Sequence, residues 1–155
     1  MTIACFTIVS SNAQIIKNFQ LKDLDNQSQT FEGLKGGKIT LIDFWASWCK
    51  PCNKALPELN KIYETYIDRG VQIIGINCDG PRSVSKVAPF LKSLQIKYPN
   101  LLDTDAEIMS DLNLTAFPTL IIVNSQGKIL WIHEGYVTGD AEVITAEIDK
   151  NISGE

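Results

Sequence analysis

Apolar positions along this chain follow two periods. Residues 39–45 form a near-continuous apolar and β-branched run through Ile39, Thr40, Leu41, Ile42 and Phe44, which predicts a strand buried on both faces. Residues 71–77 repeat that pattern. Residues 119–123 and 128–133 are two further strands joined by Asn124-Ser125-Gln126-Gly127, a hairpin turn. Near the start, residues 19–22 alternate and end at the turn cluster Asp23-Leu24-Asp25-Asn26. Residues 29–31 are the short hairpin partner, and residues 33–38 are a loop.

The helical period governs the stretches between. Residues 49–69 place Leu56, Leu59, Tyr63, Tyr66 and Ile67 on one face, with Pro57 expected to kink the helix and Gly70 to end it. Residues 83–94 carry Val84, Val87, Phe90, Leu91 and Leu94 on one side, and Pro89 bends or splits that helix. Residues 105–112 make a short helix. Residues 140–152 make a last amphipathic one with Val143, Ile144 and Ile148. Strands alternating with helices, then a closing hairpin and helix, predict an α/β fold with a mixed sheet covered on both faces.

Composition narrows the class. The 155 residues suit one domain with a real core. Hydrophobic residues at 45% and charged residues at 21% are ordinary for a globular chain. No apolar run approaches the roughly 18 residues of a membrane span. The net charge is −4 and the lysines are scattered, so no nucleic-acid partner is expected.

Residues 1–13 form a segment apart. Ile3 to Val9 is apolar, and Ser11 and Ala13 stand at the −3 and −1 positions of a cleavage site before Gln14. This reads as a truncated secretory signal lacking its basic region, with the domain occupying residues 14–155. An N-terminal edge strand is the alternative, since Phe6, Ile8 and Val9 favour β structure. A lipid anchor at Cys5 is disfavoured by the poor Thr2-Ile3-Ala4 context.

Chemistry concentrates in Asp43-Phe44-Trp45-Ala46-Ser47-Trp48-Cys49-Lys50-Pro51-Cys52, where a strand runs into a turn and two cysteines open a helix. Two intervening residues bring the sulfurs within disulfide reach. The helix N-terminus supplies unpaired N–H groups and positive potential, which favour a thiolate. Pro51 is tolerated in a first turn, and Lys50 adds a cation. Four cysteines are too few for a disulfide scaffold. They are also a poor zinc set, because only Cys49 and Cys52 have ligand spacing and the one histidine is His133.

The run Trp48-Cys49-Lys50-Pro51-Cys52 resembles the thioredoxin active site, and the chain over residues 19–148 resembles the TlpA/ResA-type branch of extracytoplasmic thioredoxin-like proteins. Residues 19–25 look like that branch's N-terminal hairpin, and residues 79–112 sit at its central insertion. Phe117-Pro118-Thr119 looks like the cis-proline loop, and Gly135 lies at a substrate-groove glycine. The resemblance implies a thioredoxin fold: a central mixed β-sheet flanked by helices on both faces, with an N-terminal hairpin and a central insertion.

It also implies a thiol–disulfide oxidoreductase that reduces partner disulfides. Cys49 would be the exposed nucleophile and Cys52 the more buried resolving thiol. Asp43 would be a buried acid moving the Cys52 proton. Trp48, Lys50, Pro51, Phe117, Pro118 and Gly135 would line the partner groove, with Pro118 in cis. The implied partners are disulfide-bearing envelope proteins such as apocytochromes, and the implied electron donor is a membrane thiol reductase. The expected setting is periplasmic, with a monomer and no dissociable cofactor.

The chain departs from the branch at two places. Ala55 stands where many members carry a glutamate, and Gly75 stands where thioredoxins carry a lysine near the acid. Two other functions use the same cysteines: a copper carrier with His133 as third ligand, and a disulfide-donating oxidant. A redox-inert binding module is the third alternative, and the intact dithiol speaks against it. A peroxiredoxin is disfavoured, since Ala46 rather than threonine lies three residues before Cys49. Cys78, Trp45, Trp131, Tyr63 and Tyr66 read as packing residues.

Overall fold

The computed structural model describes residues 14–154; the segment 1–13 that was expected to be a signal, with Cys5, lies outside them. The elements in chain order are β1 (Gln20–Asp23), β2 (Ser28–Thr30), α1 (Phe31–Leu34), β3 (Ile39–Trp45), α2 (Lys50–Tyr66), β4 (Val71–Asn77), α3 (Val87–Ser93), β5 (Asn100–Leu102), α4 (Glu107–Asp111), β6 (Thr119–Asn124), β7 (Ile129–Glu134) and α5 (Asp140–Ser153). They form one seven-stranded sheet in the order β2-β1-β5-β4-β3-β6-β7. β4 runs parallel to β3 and β5, while β6 and β7 are antiparallel. The β1–β2 hairpin extends the sheet beyond β5, with Lys22 opposite Leu102.

β3 lies at the centre, and all seven of its residues are buried. Its alternating side chains divide the core. Ile39, Leu41 and Trp45 pack with Leu56 and Leu59 of α2 and Ile144, Ile148 and Ile152 of α5. Ile42 and Phe44 pack on the opposite face with Phe31 of α1 and Met109 of α4. The expected mixed sheet with helices on both faces is therefore present.

Several local expectations change. Phe31 opens the short helix α1 instead of closing a strand, because the Thr30 hydroxyl caps it by accepting the Gly33 N–H at 3.1 Å. α2 continues through Pro57 and hands over to a 3₁₀ turn, Ile67–Arg69, which ends at Gly70 with φ 85°. Residues 83–94 split into a 3₁₀ turn, Val84–Lys86, and α3. Pro89 sits in the first turn of α3, where its missing N–H has no helical partner to lose. β5, only three residues long, has no periodicity of its own to read; parallel pairing with β4 makes it a strand. Val143 is exposed, because the buried stripe of α5 is Ile144, Ile148 and Ile152 at four-residue spacing.

Candidate active site

The β3–α2 junction carries the site. Cys49 is the N-cap of α2, with extended backbone dihedrals, and its Sγ accepts the Cys52 N–H at 3.3 Å. The two sulfurs form a disulfide with a Cα–Cα separation of 5.3 Å. Lys50 and Pro51 occupy the first turn, and both are exposed to solvent. Sulfur thus meets the unpaired N–H groups at the positive end of a 17-residue helix, which lowers a thiol's pKa.

Cys49 is not the exposed residue that the resemblance implies. It is 5% exposed and Cys52 is 1% exposed. Both sulfurs pack into the core cluster with Ala46, Ala55 and Leu56. Cys49 remains the more accessible of the pair. The exposed group is Trp48, at 65%, whose ring meets Phe117 edge-on at 5.5 Å between centroids.

Phe117–Pro118 is a cis peptide bond. The Gly135 N–H donates to the Pro118 carbonyl at 2.8 Å, which ties the loop after β7 to the proline loop. The Thr119 hydroxyl closes the other side on the Ala116 carbonyl at 2.7 Å. Trp48, next to Cys49 in the chain, and Phe117, next to Pro118, thus join the head of α2 to the proline loop through an apolar contact.

Asp43, 1% exposed, shares with Leu41 and Trp45 the face of β3 that packs on α2. Neither carboxylate oxygen has a hydrogen-bond partner among the described residues. Desolvation therefore raises its pKa to about 7. The β4 residue in register with it is Gly75, as the sequence suggests, and no ammonium stands there. Ala55, at the position of the branch glutamate, is fully buried in apolar surroundings.

Two residues that sequence reasoning missed hold the site loop. Asp79 accepts the Ser47 N–H at 2.7 Å and the Ser47 hydroxyl at 2.6 Å, and the Asn77 amide donates to it at 2.6 Å. Burial disfavours its charge, but these hydrogen bonds outweigh that and leave its pKa below the usual value. Nothing local marks Asp79, since its partner lies 32 residues earlier. Replacing Asp79 by alanine strands buried donors on Ser47 and Asn77. Urea unfolding of that variant is expected to show a loss of about 2–4 kcal/mol; a loss under about 0.5 kcal/mol would remove Asp79 from this role.

The remaining candidates fall elsewhere. Cys78, half-buried after β4, is a free thiol pushed up to about 12 by burial and then by Asp103, Asp43 and Asp79. His133 on β7 pairs its Nε2 with Asp140 at 3.0 Å and stacks on Trp131. The Val137 N–H and His133 together hold Asp140 below the usual carboxylate range. Among the described residues no group of three His, Cys, Asp or Glu side chains gathers as a metal site. Trp45 and Tyr66 are buried and Tyr63 is half-buried, consistent with packing.

Residues 13–132 match the AhpC/TSA family model. The thiol-disulfide oxidoreductase ResA of Bacillus subtilis is 31% identical over 78% of this chain and 66% of its own length. The chain thus spans just under two thirds of that relative. The crystal structure of StoA from Bacillus subtilis has a TM-score of 0.68 at 26% identity, covering 85% of this chain and 96% of that one. A crystal structure from Chlorobium tepidum has a TM-score of 0.82 over 90% of this chain and 96% of its own, a likeness of fold at 23% identity. By that family match, by its sheet and by the dithiol at the head of α2, this chain belongs to the AhpC/TSA family and is built on the thioredoxin fold.

Proposed function

We propose that this protein is an enzyme, a thiol–disulfide oxidoreductase that reduces disulfides in partner proteins. The observation that carries this reading is the Cys49–Cys52 disulfide at the N-terminus of α2, with the unpartnered carboxyl of Asp43 on the face of β3 that packs on that helix. In the reduced protein the Cys49 thiolate attacks a partner disulfide. One partner sulfur leaves as thiolate, and the other is bound to Cys49. Cys52 then attacks the Cys49 sulfur, its proton passing to Asp43. The Cys49–partner bond breaks, and the partner departs with both sulfurs reduced while Cys49–Cys52 is oxidised.

Trp48, Phe117 and Pro118, with Gly135 behind the proline loop, would seat an extended partner segment, and the exposed Lys50 and Pro51 would flank it. Disulfide-bearing envelope proteins, apocytochromes among them, fit as partners. A membrane thiol reductase fits as electron donor, and the protein would act as a monomer. A periplasmic or otherwise extracytoplasmic setting, a signal role for residues 1–13 and a part in cytochrome c maturation belong to the same reading. The resemblance to the extracytoplasmic branch supports them.

The direction is tested by the equilibrium reduction potential of Cys49–Cys52 against a dithiothreitol or glutathione buffer. A value near about −270 mV is expected for a reductant. A value near about −120 mV would make the protein a disulfide donor and overturn the reductase reading.

A further inference from the structure

The loop between β7 and α5, residues 135–139, turns at each end on a glycine of positive φ, Gly135 at 81° and Gly139 at 100°. One carboxylate oxygen holds it. Oδ2 of Asp140 accepts the Val137 N–H at 2.8 Å and meets His133 Nε2 at 3.0 Å. The Asp140 N–H returns to the Val137 carbonyl at 3.1 Å. The loop is thereby tied both to the first turn of α5 and to β7. Asp140 is only 8% exposed, so water and salt screen these contacts weakly.

The pair is held in a fixed geometry. The His133 ring lies flat on Trp131, with 5.2 Å between centroids and 11° between planes. Trp131 packs in turn on the core cluster shared by α2 and α5. The Val137 N–H and His133 keep Asp140 below the usual carboxylate range, so it is ionised at neutral pH. An ionised carboxylate only accepts, and a neutral His133 must therefore carry its proton on Nε2. Tyr136 packs on the same core, while Val137, Thr138 and Gly139 are exposed.

The start of the loop reaches the active site. The Gly135 N–H donates to the Pro118 carbonyl, and Phe117 before that proline meets the ring of Trp48, the neighbour of Cys49. Contacts thus run without a break from Asp140, through the loop and the proline, to the residue before the first sulfur.

We propose that the His133–Asp140 pair is a positioning device for partner binding, fixing residues 135–139 so that Gly135 holds the proline loop against the head of α2. This rests on the reading of the dithiol as the site of exchange with partner disulfides. A loop already in its bound form has less order to lose when a partner docks. Loss of the pair therefore weakens partner binding and leaves the sulfur chemistry, which α2 sets, as it was.

The test compares the wild-type protein, His133→Phe and His133→Gln in the reduction of a disulfide-containing peptide, with dithiothreitol as electron source. Phenylalanine keeps a ring to stack on Trp131 but has no donor; glutamine restores an N–H. His133→Phe is expected to raise KM about fivefold with kcat within about twofold, and to speed hydrogen exchange at the Gly135 amide. His133→Gln should return KM to within about twofold of the wild type. An unchanged KM in folded His133→Phe, even with stability lowered, overturns the proposal, as does a glutamine variant equally impaired. If His133→Phe does not fold, the wild-type and Cys52→Ser proteins decide. Nitrogen-15 spectra must show neutral His133 protonated on Nε2, and the Gly135 and Val137 amides must shift when the peptide is trapped on Cys49 in Cys52→Ser. A proton on Nδ1, or amides indifferent to the trapped peptide, overturns the proposal. Disulfide exchange by Cys49→Ser at the wild-type rate would overturn the dithiol reading, whereas the tautomer and the hydrogen exchange report on the pair by themselves.

Discussion

Replacing Cys49 by serine is expected to bring disulfide exchange down to the uncatalysed rate, while Cys52→Ser leaves the first attack intact and traps the partner. The asymmetry follows from position. Cys49 is the α2 N-cap and the more accessible sulfur. Cys52 lies one turn inside, its N–H bonded to Cys49 Sγ. Serine at 49 has no thiolate to offer at neutral pH, so no mixed disulfide forms. Serine at 52 cannot displace the partner, and the Cys49–partner bond persists. Thiol release from a disulfide-containing protein, with dithiothreitol as electron source, reads the first effect. Mass spectrometry of the adduct reads the second. Exchange by Cys49→Ser at the wild-type rate would overturn the nucleophile assignment. An adduct on Cys52 in place of Cys49 would reverse the two roles.

The second large effect is the dependence of stability on pH that Asp43 imposes. Its folded-state pKa is raised by desolvation to about 7 from an ordinary 3.8. Below pH 3.8 the carboxyl is protonated in both folded and unfolded chains and contributes nothing. Between pH 3.8 and 7 only the unfolded chain ionises, so the native state loses stability as pH rises. Above pH 7 the full penalty of the buried charge applies, on the order of 4 kcal/mol for a shift of about three units. Urea unfolding at pH 5 and pH 8 should show this fall in the wild-type protein and a smaller one in Asp43→Asn. Equal pH dependence in both proteins would mean that Asp43 titrates as an ordinary carboxyl. The same variant should slow the attack of Cys52 on the mixed disulfide, because the thiol proton has lost its acceptor.

The central strands β3 and β4 were legible residue for residue, because a strand buried on both faces reads as a near-continuous apolar and β-branched run. The dithiol was legible for a similar reason: two cysteines opening a helix are local chemistry, set by four consecutive residues. β5 was not legible, since three residues carry no period and a neighbouring strand decides their conformation. Nor was the burial of Cys49 or the exposure of Val143, because periodicity locates a helix face only approximately and packing against β3 settles where it ends.

Among the polar residues the division is sharper. Asp43 stands out in the sequence as a charge within an apolar strand, and its place six residues before Cys49 suggests its use. Its raised pKa depends on what does not reach it, and that is a property of the assembled core. Asp79 carries no local mark, because it reaches Ser47 from 32 residues away. The sequence by itself determined the central strands, the helix that presents the cysteines and the two sulfurs, because each follows from neighbours within a few turns of chain. Only the tertiary structure decided how deep the sulfurs lie and which groups surround the acid, because desolvation and hydrogen bonding depend on contacts between distant segments.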